Sequence, residues 1–144
     1  MNTLLSIMEK ILAESYALQL KTQNYHWNVK GSLSFYALHK LFEEQYKELV
    51  NGIDEIAEQI RKLGRLTQAS FSTFQKLSSI EEGNPSLSAA AMVKALAEDQ
   101  DKLIRRLNEG IKEAQTCSDE GTADLLIARI RVHTKHKWML ESSL

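Results

Sequence analysis

The sequence predicts an all-α chain folded as one four-helix bundle, with a short extra helix inside one long connection. Three observations carry that expectation. Apolar residues recur at steps of three and four through four long segments, the period of a helix with one buried face. One proline and six glycines in 144 residues leave few positions that interrupt a helix. The breaks between segments are short and polar except for one, which is long enough to cross the bundle.

The first helix is expected to run to about Val29. It carries Leu4, Ile11, Leu18 and Tyr25 as a stripe, with Ile7 and Met8 alongside, and stops at Gly31. The second has the clearest seam. Phe42, Tyr46, Leu49, Ile53, Ile56, Ile60 and Leu63 alternate steps of four and three, and Gly64 ends the run. Residues 65–85 are polar, but Phe71, Phe74 and Leu77 fall at i, i+3 and i+6 and predict one short helix there. Pro85 punctuates the loop "EEGNPS". Val93, Leu96, Leu103, Leu107, Ile111 and Ala114 mark a third long helix, and Leu126, Ile130 and Trp138 a fourth after "TCSDEG". Two helices, a long crossover and two more helices are the wiring of a ferritin-like four-helix bundle. One domain spans 1–144.

Composition narrows the function. The chain is 43% hydrophobic and 26% charged, with 18 basic and 19 acidic side chains interspersed, so neither nucleic acid nor a membrane is its default partner. Cys117 is the only cysteine, which excludes an intrachain disulfide and favours a reducing, cytoplasmic setting. Glu9 and Lys10 enter the first segment too early for a signal peptide or a spanning helix.

The second helix also carries a polar stripe. His39, Glu43, Asp54 and Glu58 fall at about 0°, 40°, 60° and 100° around its axis, roughly 120° from the centre of the apolar seam. They therefore flank the bundle's interior. His39 and Glu43 are one turn apart, as are Asp54 and Glu58, yet the two pairs are separated by about 16 Å along the axis. No single metal centre spans that distance. His39 and Glu58 are equally far from a midpoint between Glu48 and Leu49, and so are Glu43 and Asp54. Two antiparallel copies of the helix about a twofold axis at that midpoint would set Glu43 against the second copy's Asp54, and His39 against its Glu58. Mixed carboxylate and imidazole donors suit Fe(II). A merely solvated helix face fits the same residues.

"YHWNVKG", "LHKLFEEQY" and "IDEIAEQIRKLG" together resemble the Dps family of mini-ferritins. The likeness continues through "DEGTADLL" and "HTKHKWMLESS" to the last residues. It implies an iron site between two subunits, with His26, His39 and Glu43 from one chain and Asp54 and Glu58 from the other. These would be both the metal ligands and the catalytic residues of a ferroxidase that oxidises Fe(II), preferably with hydrogen peroxide, and stores ferric iron in a hollow dodecamer. The chain departs from the family twice. His26 and His39 are thirteen apart where twelve is usual, which places an additional residue in the Gly31–Ser34 turn, and Glu43 stands where Asp is common.

The resemblance also implies that Asp119 and Asp124 line a threefold pore, with Ala128 where a further acid is often found. The residue-level alternative for both acids is a favourable place in the first turn of a helix. Trp27 has either a radical-accepting role beside the iron or a packing role. His133 and His136, at i and i+3, are expected to form a basic helix end, with a surface metal site as the alternative. Lysine-rich terminal arms of the kind that condense DNA are not seen, so DNA binding is expected to be weak or absent. Two other readings stay open: a DNA-compacting protein with a secondary iron site, and a helical interaction protein with a degenerate one.

Overall fold

The computed structural model describes residues 1–31 and 33–144. Four long helices form: α1 (Asn2–Asn28), α2 (Phe35–Lys62), α4 (Ala89–Thr116) and α5 (Glu120–Glu141). A seven-residue α3 (Phe71–Leu77) sits in the connection between α2 and α4. The all-α bundle and the short crossover helix are as the sequence predicts. Ser32, in the turn expected to hold the additional residue, lies outside the described residues.

Helix ends follow local chemistry. Ser70, Ser88 and Asp119 cap α3, α4 and α5, each accepting the backbone N–H three residues on. Past the end of α2, Gly64 takes φ 94°, its N–H donates to the Arg61 carbonyl, and the Arg65 N–H reaches back to Ile60. That is a left-handed helix stop, for which glycine has no Cβ penalty.

Ion pairs between helices fix the directions. Glu14 pairs with Arg106 and Lys21 with Asp99, so α1 and α4 run antiparallel. Gln45 donates to the His136 carbonyl and Gln59 to Thr122, which sets α5 antiparallel to α2. The crossover leaves with Arg65 beside Glu9 and arrives with Gly83 beside Asn24. It thus spans about 22 Å of α1, fifteen residues at helical rise. This traverse lets α4 start at the same end of the bundle as α2.

The core is built from fully buried residues of all four long helices, among them Leu4, Met8, Phe42, Leu49, Met92, Leu103 and Leu126. On α5 the inward positions are Thr122, Leu126, Arg129, His133, His136 and Leu140, which step by four and three. Two sequence expectations are corrected here. Trp138 is 64% exposed and does not belong to the seam. His133 and His136 are buried in the bundle and do not make a basic helix end. A pattern search for apolar residues passes over this seam because four of these six positions are polar.

Arg129 and His133 are held by neighbouring side chains. The Arg129 guanidinium grips Glu48 through two hydrogen bonds and donates to His133 Nε2 at 3.3 Å. Gln100 Oε1 lies 2.7 Å from His133 Nδ1. A guanidinium can only donate and an amide oxygen can only accept, so His133 is the neutral tautomer with hydrogen on Nδ1. Gly52 makes room for this arrangement, since a Cβ there would stand 2.3 Å from the Arg129 Cζ.

Burial pushes the His133 pKa well down, and burial followed by the nearby Arg129 charge lowers that of His136 to about 4. Both rings bind protons more readily in the unfolded chain, so their effect on stability is absent above the unfolded value. As pH falls below that value the folded state is progressively disfavoured. Between pH 7 and pH 5 the chain is expected to lose about 2 kcal/mol from His136 alone. Urea unfolding at the two pH values tests this, and His136→Gln should flatten the dependence.

Candidate metal centre

α1 and α2 leave opposite sides of a short turn, and His26 and His39 meet across it. The last carbonyls of a helix lack intrahelical partners. At the end of α1 the Tyr25 carbonyl takes the Val29 N–H, and the His26 carbonyl takes the imidazole of His39 at 2.8 Å. The bond is returned, because His26 Nδ1 lies 2.7 Å from the His39 carbonyl. A carbonyl can only accept, so both rings carry their hydrogen on Nδ1. In the neutral ring this leaves the lone pair on Nε2, the form in which imidazole ligates a metal, oriented by a hydrogen bond on its other nitrogen. The two rings stack with centroids 3.9 Å apart and planes 18° from parallel. The thirteen-residue spacing therefore does not separate them.

Glu43 follows one turn after His39. Lys47 holds it at 2.8 Å and Lys40 at 3.4 Å, and the hydrogen bond from Lys47, then that from Lys40, lowers its pKa to about 2. The carboxylate is ionised across the physiological range. Lys40 is a residue that the sequence reading does not single out, and Lys47 belongs there only to an ordinary solvated face. Their signal was in the spacing, three residues before and four after the acid.

Asp54 and Glu58 lie exposed on the next turns of α2. Glu58 has a raised pKa, chiefly because its carboxyl hydrogen-bonds that of Asp54 and then because of the like charge there. A cation placed between two neighbouring carboxylates removes the repulsion between them. Among the described residues, no group of three or more His, Cys, Asp or Glu gathers within one protomer to hold an ion. One chain thus presents an imidazole pair with Glu43 one turn on, and a separate carboxylate pair about 16 Å of helix beyond Glu43.

Trp27 is 64% exposed in the protomer. It lines a largely apolar groove of about 630 Å³ with Tyr16, Leu20, Phe71 and Phe74. Asp119 uses both carboxylate oxygens on Thr122, one on its N–H and one on its hydroxyl, while Asp124 is exposed.

A ferritin-like domain model matches residues 5–144. The chain is 37% identical over 140 residues to DNA protection during starvation protein 2 of Bacillus anthracis, covering 97% of this chain and 95% of that one. A crystal structure of a Dps protein from Bacillus brevis superposes with a TM-score of 0.94 at 34% identity, over 98% of this chain and 94% of the other. A Dps protein from Vibrio cholerae, described as one of the ferritin-like diiron-carboxylate proteins, gives 0.93 at 32% identity, over 98% and 88%. Among the described residues no helix is long and apolar enough to cross a membrane.

Replacing Lys47 by Met should raise the Glu43 pKa from about 2 toward the ordinary 4.5 of a glutamate. Carboxyl ¹³C shifts followed across an acid titration of the metal-free protein measure it.

Proposed function

The chain belongs to the Dps family of ferritin-like proteins, and on that premise we propose that it is a mini-ferritin that oxidises and stores iron. The reading is carried by the Nδ1–H form of both His26 and His39, whose neutral rings keep two Nε2 lone pairs, with an ionised Glu43 one turn along α2 from His39. The complement is the Asp54–Glu58 carboxylate pair, in which Asp54 raises the pKa of Glu58. A twofold axis crossing α2 between Glu48 and Leu49 would bring one group onto the other in two equivalent sites. Two imidazoles and three carboxylates suit ferrous iron, and the carboxylates also suit the harder ferric product.

In the proposed reaction two ferrous ions each give one electron to hydrogen peroxide. The O–O bond breaks to two hydroxides, and no hydroxyl radical is released. The protein contributes ligands and confinement, while the metal supplies the electrons. The ferric product collects within a hollow homo-oligomer, proposed to be a dodecamer. Asp119 and Asp124 are proposed pore residues, with Asp119 also capping α5. Trp27 is proposed to accept stray oxidising equivalents. It follows His26 in the chain and is accessible in the protomer.

Anaerobic loading with Fe(II), addition of peroxide and size-exclusion chromatography test this reading. Iron should co-elute with a large assembly, and Asp54→Ala/Glu58→Ala should reduce initial oxidation to the rate in buffer. Iron precipitating from the native protein as it does from buffer would contradict the proposal.

A further inference from the structure

The hydrogen bond on Nδ1 fixes one point of each imidazole. It leaves the ring free to tilt about the N–H···O line, and a tilt swings Nε2 away from where a metal must sit. A second constraint on the ring faces is needed for ligation at one geometry.

That constraint is present. Phe35 stacks on His39 with centroids 5.5 Å apart and planes 23° from parallel. His39 stacks on His26, and Tyr46 meets His26 edge-on at 5.4 Å and 65°. The contacts make one continuous run, Phe35–His39–His26–Tyr46. Phe35, His39 and Tyr46 come from one face of α2, at steps of four and seven, and His26 enters from α1. Phe35 is the first residue of α2, directly after the turn in which the additional residue is expected. Neither Phe35 nor Tyr46 offers a strong ligand atom for Fe(II), so their contribution acts through the imidazoles.

We propose that Phe35 and Tyr46 are positioning residues of the iron site, clamping the stacked His26–His39 pair from its two sides so that both Nε2 atoms keep one direction. This rests on the reading of the histidines as ligands and adds the residues that hold them. It also accounts for how two histidines thirteen residues apart in the chain stay together. The turn sets where α2 begins, and the ring column sets where the imidazoles lie.

The test is solid-state ¹⁵N NMR of the metal-free assembled protein labelled at histidine, with His26→Gln and His39→Gln for assignment. Cobalt(II) titration of the same samples reports affinity and ligand field, and thermal melting checks folding. Phe35 is 41% exposed in the protomer, so replacing it leaves the core intact.

Native protein, Phe35→Tyr and Tyr46→Phe should show rigid Nδ1–H rings and bind Co(II) alike. Phe35→Leu and Tyr46→Leu should show mobile rings and an altered d–d spectrum, with about tenfold weaker Co(II) binding. Leucine variants that keep rigid rings and native Co(II) affinity would overturn the proposal. So would Tyr46→Phe loosening the rings as much as leucine does, because the hydroxyl would then be the active part. Rings that loosen as expected while no form takes up Co(II) would uphold the clamp and overturn the iron-site reading instead.

Discussion

The end of a helix leaves carbonyl oxygens without partners, and this chain fills one of them with an imidazole. His39 donates to the His26 carbonyl and His26 donates to that of His39, so two helix backbones and two side chains are joined by a single closed exchange. Much else at the site depends on this. It ties the end of α1 to the first turns of α2, it selects the tautomer of both rings, and it directs both remaining lone pairs away from the backbone. The same bonds that finish a helix also prepare a ligand pair.

The bundle interior is occupied by something else. The inward face of α5 carries Arg129, His133 and His136, and Arg129 is neutralised by Glu48 and packed over Gly52. A buried guanidinium with its carboxylate leaves little reason for a metal ion to enter the middle of the bundle. The proposed iron donors stand outside that seam, on the flank of α2 and the end of α1, and in the proposal a second copy of the chain completes them. Position on the helix thus decides between a site within one subunit and a site between two.

Most of the fold was legible in the sequence because apolar steps of three and four mark long helices strongly, as on α2 from Phe42 to Ile60. The failure on α5 has a physical cause. Its buried stripe satisfies the helical period with Thr, Arg and His, whose burial depends on partners supplied by α2 and α4, and no local pattern reports those partners. At the site, residue types and spacing identified His39, Glu43, Asp54 and Glu58 as two separated pairs. They could not show that His26 meets His39, since a turn of unknown shape lies between them. Nor could they show the lysine grip on Glu43 as more than a surface pattern, because an i, i+4 pair becomes an ion pair only through side-chain rotamers.

The claim that the iron site is shared between subunits is tested most directly by complementation. Chains carrying Glu58→Ala are mixed, under dissociating conditions, with chains carrying His26→Ala and His39→Ala, and the shells are then reassembled. Neither parent should oxidise iron at the site. A one-to-one mixture should recover roughly one quarter of the native sites, because half of the twofold pairs are mixed and each restores one of its two sites. Ferroxidase activity absent from shells that mass spectrometry shows to be mixed would contradict the account.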